Sequence, residues 1–525
     1  MKNRVVIIGA GIGGLVAAAR LAHAGCEVTV IEAQNTAGGK MRSVASDAGP
    51  VDAGPTVLTM RSVFEELFAD LGAGLSDQLT LKPLDRLARH YWDDGTSLDL
   101  MADQEASAEN IAQVFGTTAA DEFRAFSARA ARLFDAFDAP MMQKAEPRPR
   151  DLAGVVLRRP GLLRDMAPHQ TLAGMLRHSF SAPKLAQLFG RYATYVGGSP
   201  YAAPALLALI AQAEAGGVWA VQGGMHRLAQ VIEGLAQAKG AVFHFGTPVT
   251  RIALQSGRAA TVETEQGRFV ADAVLFNGDP RALREGLLGP GLRNAVPRKA
   301  VEPRSLSAYV HAFAGQVSGP ELCYHTVFFG YDPRAEFDEL AHGRRPTDAT
   351  LYICAQDRAE PKPRFGVERF EIILNGPPLD PTQGPTLGPT PHSDEDIEAC
   401  QTQVFTRLAR FGLHFDPQPG PQSLTTPAGF AQLFPGSSGS LYGRSPHGLT
   451  AGLARPVART AVPGLYLTGG GAHPGAGVPM AALSARHAVA AIMSDLALPS
   501  TSRRTAMRGG ISTGSAMTGP KASRS

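Results

Sequence analysis

The sequence predicts an α/β protein: a Rossmann-like dinucleotide-binding domain into which a helical cap and a mixed-sheet domain are inserted. Three observations predict this. Residues 5–32 read as strand, glycine turn, helix and strand, ending on an acid. Residues 464–480, GLYLTGGGAHPGAGVPM, set a second glycine-rich loop behind a strand-like run near the far end of the chain. Between the two, the apolar pattern is first helical and then, beyond residue 300, that of strands.

Val5–Ile8 is an apolar run suited to a strand buried on both faces. Gly9, Gly11 and Gly14 follow as GxGxxG. The first glycine permits the tight turn, the second lets the backbone approach a pyrophosphate, and the third lets the helix pack on the strand. Leu15–Ala24 reads as the helix, closed by Gly25, and Glu27–Ile31 as the second strand. Glu32 stands at its end, where a carboxylate accepts hydrogen bonds from a ribose diol and repels a 2′-phosphate. NTAGGKMRS (35–43) then brings Gly38 and Gly39 for a second close backbone approach, with Lys40 and Arg42 as positive charge beside it. A second diphosphate contact suits a retained flavin dinucleotide, FAD, better than a dissociable nicotinamide. A solvated basic turn is the competing reading of Lys40 and Arg42.

Composition narrows the class. With 525 residues, roughly two to four structural units are expected. A hydrophobic share of 44% against 18% charged permits a large core. A formal net charge of +3 gives no argument for nucleic acid, and no RNA-binding signature is present. Cys26, Cys323, Cys354 and Cys400 form no CxxC pair, so neither a metal site nor a disulfide framework is expected, and a reducing compartment is the default. The basic, apolar N-terminus is read as a folded strand rather than a signal peptide, because the glycine spacing and second strand follow it. No spanning helix is expected: the closest stretch, 203–221, is interrupted by Glu214 and Gly216-Gly217.

Taken with the first loop, VDAGPTVLTM (51–60), YVGGSPYAAPALLALIAQAE (195–214), GGVWAVQGGMHRLAQVI (216–232), FGTPVTRI (245–252), ADAVLFNGDP (271–280) and HPGAG (473–477) resemble the bacterial-type carotenoid desaturases of the phytoene desaturase group. Within that group DAGPTVLTMRSVFEELF (52–68) is most similar to the 1-hydroxycarotenoid 3,4-desaturases, also called hydroxyneurosporene or methoxyneurosporene dehydrogenases. The resemblance covers residues 1 to about 495. It implies an amine oxidase/desaturase-type fold with FAD-binding parts at 1–75, 221–300 and 451–498. It places a helical, membrane-facing cap at 76–220 and an antiparallel-sheet substrate domain at 301–450; residues 499–525 read as a polar, basic, disordered tail. It also implies that 245–252 and 271–280 are strands returning to the dinucleotide domain, with Val249 against the cofactor. The last loop would place Gly469, Gly470, Gly477 and Val478 there, without the acid that many related flavoproteins carry in that position.

The resemblance implies loss of two hydrogens from adjacent saturated carbons of an acyclic, 1-hydroxylated carotenoid. Neither C–H bond is acidic, so the easier route is hydride transfer to the flavin, leaving a cation spread over the polyene. No Ser/His/Asp set, cysteine nucleophile or metal cluster is then needed. A long polyene spans about the ~30 Å of a bilayer core, so a peripheral membrane enzyme on the cytoplasmic side is expected. The basic, apolar stretch 148–166 reads either as a lipid-touching lid or as a plain surface helix. Asp52, His226 and His473 are the candidates for polar work; for Asp52 a structural brace, and for His473 a backbone-bonded loop histidine, are the stronger alternatives. A phytoene desaturase, a carotenoid oxygenase, an amine oxidase and a non-catalytic isoprenoid carrier are the rival readings, and the terminal electron acceptor is left open.

Overall fold

A computed structural model describes residues 2–359, 366–379 and 394–497. The basic tail and most of the Pro/Gly loop at 376–391 lie outside the described residues.

Arg4–Ile8 forms the centre of a five-stranded parallel sheet. Glu27–Ile31 and then Val242–His244 pair on one side, Ala273–Phe276 and Leu465–Leu467 on the other. Strands from both ends of the chain thus share one sheet. The first helix, Ile12–His23, packs against two others, His226–Ala238 and Val478–Ala497. Ala17, Ala18 and Ala19 are fully buried there, and their small side chains let three helices approach closely.

A second, mixed sheet runs His414–Asp416, Ser307–Ser318, Glu368–Gly376, Leu351–Ala355, His325–Phe328, Arg86–Tyr91, Ser97–Met101. All its pairings are antiparallel except that of His325–Phe328 with Arg86–Tyr91. The strands expected at 305–315, 325–330, 350–357 and 369–376 form four of its members.

Two expectations need correction. The region 76–220 is not helical throughout: Arg86–Tyr91 and Ser97–Met101 make a hairpin that extends the mixed sheet. The Asp94-Gly95 turn between alternating apolar residues is its local signal. Residues 245–252 do not return to the dinucleotide sheet. Val242–His244 does so, and the chain then turns out at Gly246 (φ +59°) and Pro248. Val249–Gln255 instead begins a separate three-stranded antiparallel sheet with Arg258–Thr264 and Gly267–Val270.

Among the described residues no helix is long and apolar enough to cross a membrane. Pro149–Arg158 buries none of its side chains, and Leu157 and Leu163 are 81% and 51% exposed beside the exposed Arg148, Arg150, Arg158, Arg159 and Arg164.

Candidate active site

The glycine loops from the two ends of the chain touch. A Cβ built on Gly13 would lie 2.8 Å from Gly469 Cα and 2.6 Å from Asn277 Oδ1. Asn277, just past the Ala273–Phe276 strand, donates through Nδ2 to Gly9 O (3.1 Å) and Gly11 O (3.3 Å). One amide thus fastens the first turn to the neighbouring strand. Gly14 packs so tightly that its Cβ would stand 2.0 Å from Gly9 O. Gly38 (φ +120°) and Gly39 (φ +60°) cross this turn, and a Cβ on Gly39 would lie 3.0 Å from Gly11 Cα. Glu32 is buried; its carboxylate accepts from Ala10 N (2.6 Å) and Gln34 N (2.8 Å). Burial raises its pKa, and these amides oppose the rise.

A cavity of about 1620 Å³ opens on these loops. One drug-sized ligand needs roughly 300–1,000 Å³, so this volume accommodates a dinucleotide and a second large molecule. Gly9, Gly11, Glu32, Gly38, Gly39, Lys40, Val249, Gly469, Gly470, Gly477 and Val478 all line it. Beyond them it continues between Phe134, Phe137, Leu206, Leu207 and Ile210. The Val478–Ala497 helix presents its first turn to the cavity, and the N–H groups of a first turn have no partner within their helix. Bare backbone at two loops, an acid at a strand end and a helix N-terminus suit the ribose, diphosphate and ring system of a flavin dinucleotide.

The remaining sequence-derived candidates lie outside the cavity wall. Gly14 acts in packing. Arg42 turns toward the mixed sheet, where Nη2 donates to Thr425 Oγ1 (2.6 Å) and the guanidinium lies over Phe430. Asp52 caps the His226–Ala238 helix, accepting from Met225 N (2.6 Å) and His226 N (3.2 Å). The His226 ring bonds Ala37 O (2.9 Å) and so braces the second glycine loop. His473 bonds Lys144 O (2.8 Å) and stacks on His487; burial lowers its pKa to about 4. None of the three candidate catalytic groups faces the cavity. The reason is shared: each is consumed by the backbone of a neighbouring loop or helix.

Sequence reasoning missed a buried charge cluster beside the C-terminal loop. Asp279 pairs with Arg304, both side chains nearly inaccessible. Lys40 Nζ donates to Leu441 O (2.6 Å), and Arg455 donates to Gly470 O (3.0 Å) and Tyr442 O (2.9 Å). Burial works against the Asp279 carboxylate, but Arg304 and Lys40 hold its pKa below the ordinary range. Three cations facing one carboxylate leave excess positive charge where an anionic ligand or a ring gaining electrons would sit. Arg304 and Arg455 belong to no local motif, so only the fold brings them together. Arg304→Ala is expected to lower unfolding stability by about 3–5 kcal/mol in urea titration, because it strands a buried carboxylate.

Burial pushes the Lys40 pKa from 10.5 to about 8, with Asp279 opposing and Arg304 and Arg455 adding to the fall. Below pH about 8 both folded and unfolded chains carry this proton, and the folded chain bears its desolvation. Above it, and up to the ordinary lysine value, the unfolded chain alone keeps the proton, so this group's contribution to stability rises with pH. Lys40→Met is therefore expected to gain stability over wild type at about pH 7, and the gain should shrink by about pH 9.5.

The chain matches the family described as flavin containing amine oxidoreductase over residues 12–493. A hydroxyneurosporene desaturase from Cereibacter sphaeroides is 54% identical over 495 residues, covering 94% of this chain and 98% of the relative. A second, from Rhodobacter capsulatus, is 48% identical with the same coverage of each. Cyclohexylamine oxidase from Brevibacterium oxydans IH-35A shares the fold, with TM-score 0.56 and 17% identity over 94% of this chain and 100% of that one. Cradle and matches together define a flavin-containing oxidoreductase, and the chain belongs to the flavin-containing amine oxidoreductase family. Within that family it is a member of the bacterial carotenoid desaturases.

Proposed function

We propose that this protein is an FAD-dependent desaturase that removes two hydrogens from adjacent carbons of an acyclic, 1-hydroxylated carotenoid, as a 1-hydroxycarotenoid 3,4-desaturase does. The observation that carries the proposal is the continuity of a single cavity, from the two glycine loops into a chamber walled by Phe134, Phe137, Leu206, Leu207 and Ile210. Near-full-length identity to hydroxyneurosporene desaturases supports the substrate class.

Bound at the loops, the flavin supplies the acceptor for hydride from the polyene. The chain's own part is to bind, orient and dry. Glu32 would receive the ribose diol, and the amides of Gly11–Gly13 at the start of the Ile12–His23 helix the diphosphate. The first turn of Val478–Ala497 and the Lys40/Arg304/Arg455 cluster supply positive potential in a low-dielectric site. The aromatic and aliphatic walls exclude water and fix a hydrocarbon chain along the chamber.

The expected location is the cytoplasmic face of a membrane, held peripherally. Leu152, within Pro149–Arg158, lines the cavity together with Met141 and Met142, and the exposed Leu157, Leu163 and arginines of 148–164 suit an anionic lipid surface. Leu157→Glu with Leu163→Glu is expected to reduce co-sedimentation with anionic vesicles.

The test is incubation of the flavin-loaded protein with 1-hydroxyneurosporene and, separately, with phytoene, followed by absorption. A red shift with the hydroxylated chain is expected. A shift with phytoene alone would point to a phytoene desaturase, and loss of bound flavin on purification to a carrier.

A further inference from the structure

The cavity is apolar over much of its wall, but one polar chain opens on it at the cofactor end. Thr56 and Tyr352 both line it. Thr56 stands two residues after Gly54, whose Cβ would lie 1.9 Å from Lys40 O, so the backbone that carries it leaves directly from the second glycine loop. Thr56 Oγ1 lies 2.6 Å from Tyr352 Oη, and Tyr352 Oη lies 2.5 Å from His325 Nδ1. His325 is buried and its Nε2 has no partner. Arg191 also lines the cavity, stacked over the Tyr195 ring, with its Nε unpartnered. A second polar set in the wall, Glu336 with Thr350 and Asn375, is satisfied within itself. The Thr56–Tyr352–His325 chain is different: at Thr56 it keeps hydrogen-bonding capacity that no protein group uses.

We propose that Thr56, held by Tyr352 and His325, reads an oxygen function on the end of the polyene next to the carbons that lose hydrogen. This rests on the desaturase reading above. In a 1-hydroxy chain desaturated at positions 3 and 4, one methylene separates the oxygen-bearing carbon from the reacting pair. The oxygen must then lie close to the flavin, where Thr56 is, and not at the far end of the chamber. Thr56 is the contact; Tyr352 and His325 are positioning residues.

The chain can work in either direction. Burial, with the charge of Arg191 second, lowers the His325 pKa to about 3, so the ring is neutral and carries one proton. With that proton on Nε2, Nδ1 accepts from Tyr352, Tyr352 accepts from Thr56, and Thr56 offers a lone pair to a substrate hydroxyl. With the proton on Nδ1 both bonds reverse, and Thr56 donates its own hydrogen, as an ether oxygen requires. No net charge moves between the two states. The same side chains therefore serve a tertiary alcohol and its methyl ether, while an unsubstituted end makes no bond to Thr56.

The experiment measures kcat/KM of flavin-loaded wild type, Thr56→Val, Thr56→Ser and Tyr352→Phe on the 1-hydroxy polyene, its 1-methoxy ether and the unsubstituted chain. Flavin absorbance reports occupancy, and difference spectra report polyene binding. Wild type is expected to favour both oxygenated chains by about tenfold or more. Thr56→Val and Tyr352→Phe should bring that ratio close to unity, and Thr56→Ser should retain it. An unchanged ratio in Thr56→Val and Tyr352→Phe overturns the proposal. So does a wild type that binds and converts the three chains equally well, whatever the variants do. A wild type that desaturates none of them overturns the functional reading, and this assignment with it.

Discussion

Glu32→Arg is expected to purify without flavin. In the folded chain the Glu32 carboxylate closes the first βαβ unit by accepting from Ala10 N and Gln34 N, and it lines the cavity where a ribose would lie. Arginine accepts nothing, so both ribose hydroxyls lose their acceptor. Hydrogen bonds to a charged group contribute about 1.5–3 kcal/mol each, so affinity should fall by about a hundredfold or more. The sheet is held by Val5, Val28 and Val274, all buried, so circular dichroism and unfolding should show the fold largely kept. Flavin occupancy equal to wild type would displace the ribose from this position.

Gly13→Val should be as damaging by a different route. Gly13 is not one of the fingerprint glycines, yet its Cα faces Asn277 and Gly469 with no room for another atom. Two branched methyls there would push the C-terminal loop from the first helix and break the Asn277 bonds to Gly9 and Gly11. Overpacking of this kind costs about 1–3 kcal/mol of stability. The functional loss should exceed the stability loss, because one substitution separates both halves of the cradle. The check is flavin content alongside urea unfolding. A variant that folds less stably but keeps its flavin would mean that the two loops do not bind together.

These two positions show what the sequence makes legible. Gly9, Gly11, Gly14 and Glu32 could be read directly, because a backbone that must touch a phosphate excludes side chains and does so at fixed spacing within one local unit. Gly13 and Asn277 could not. Their roles depend on which strand lies beside the first, and FNGDP (276–280) reads locally as an ordinary turn. The same holds for Asp279, Arg304 and Arg455, which lie on separate segments of the chain and meet only behind the C-terminal loop. Asp52 and His226 show the opposite case. An acid and a histidine near a cofactor loop are candidates for polar work, but the first turn of a helix needs its amides capped, which is the brace already favoured for Asp52, and a glycine loop needs a support, which His226 gives. The hairpin at 86–101 was hidden by the helices around it, although its Asp-Gly turn was in plain view. Thr56 lay inside a stretch already tied to the family, yet its chemistry became visible only once Tyr352 and His325, from the mixed sheet, were seen beside it.

The central claim is that loops from the two ends of the chain hold one flavin dinucleotide between them, with the hydrocarbon chamber beyond. The most direct measurement is an experimental structure of the flavin-loaded protein. It should show the diphosphate on the amides of Gly11–Gly13 at the start of the Ile12–His23 helix, the ribose on Glu32 and the ring system against Gly469–Gly471 and the first turn of Val478–Ala497. A dinucleotide that stops short of the C-terminal loop, or a ring that lies outside the chamber walled by Phe134 and Phe137, would contradict it.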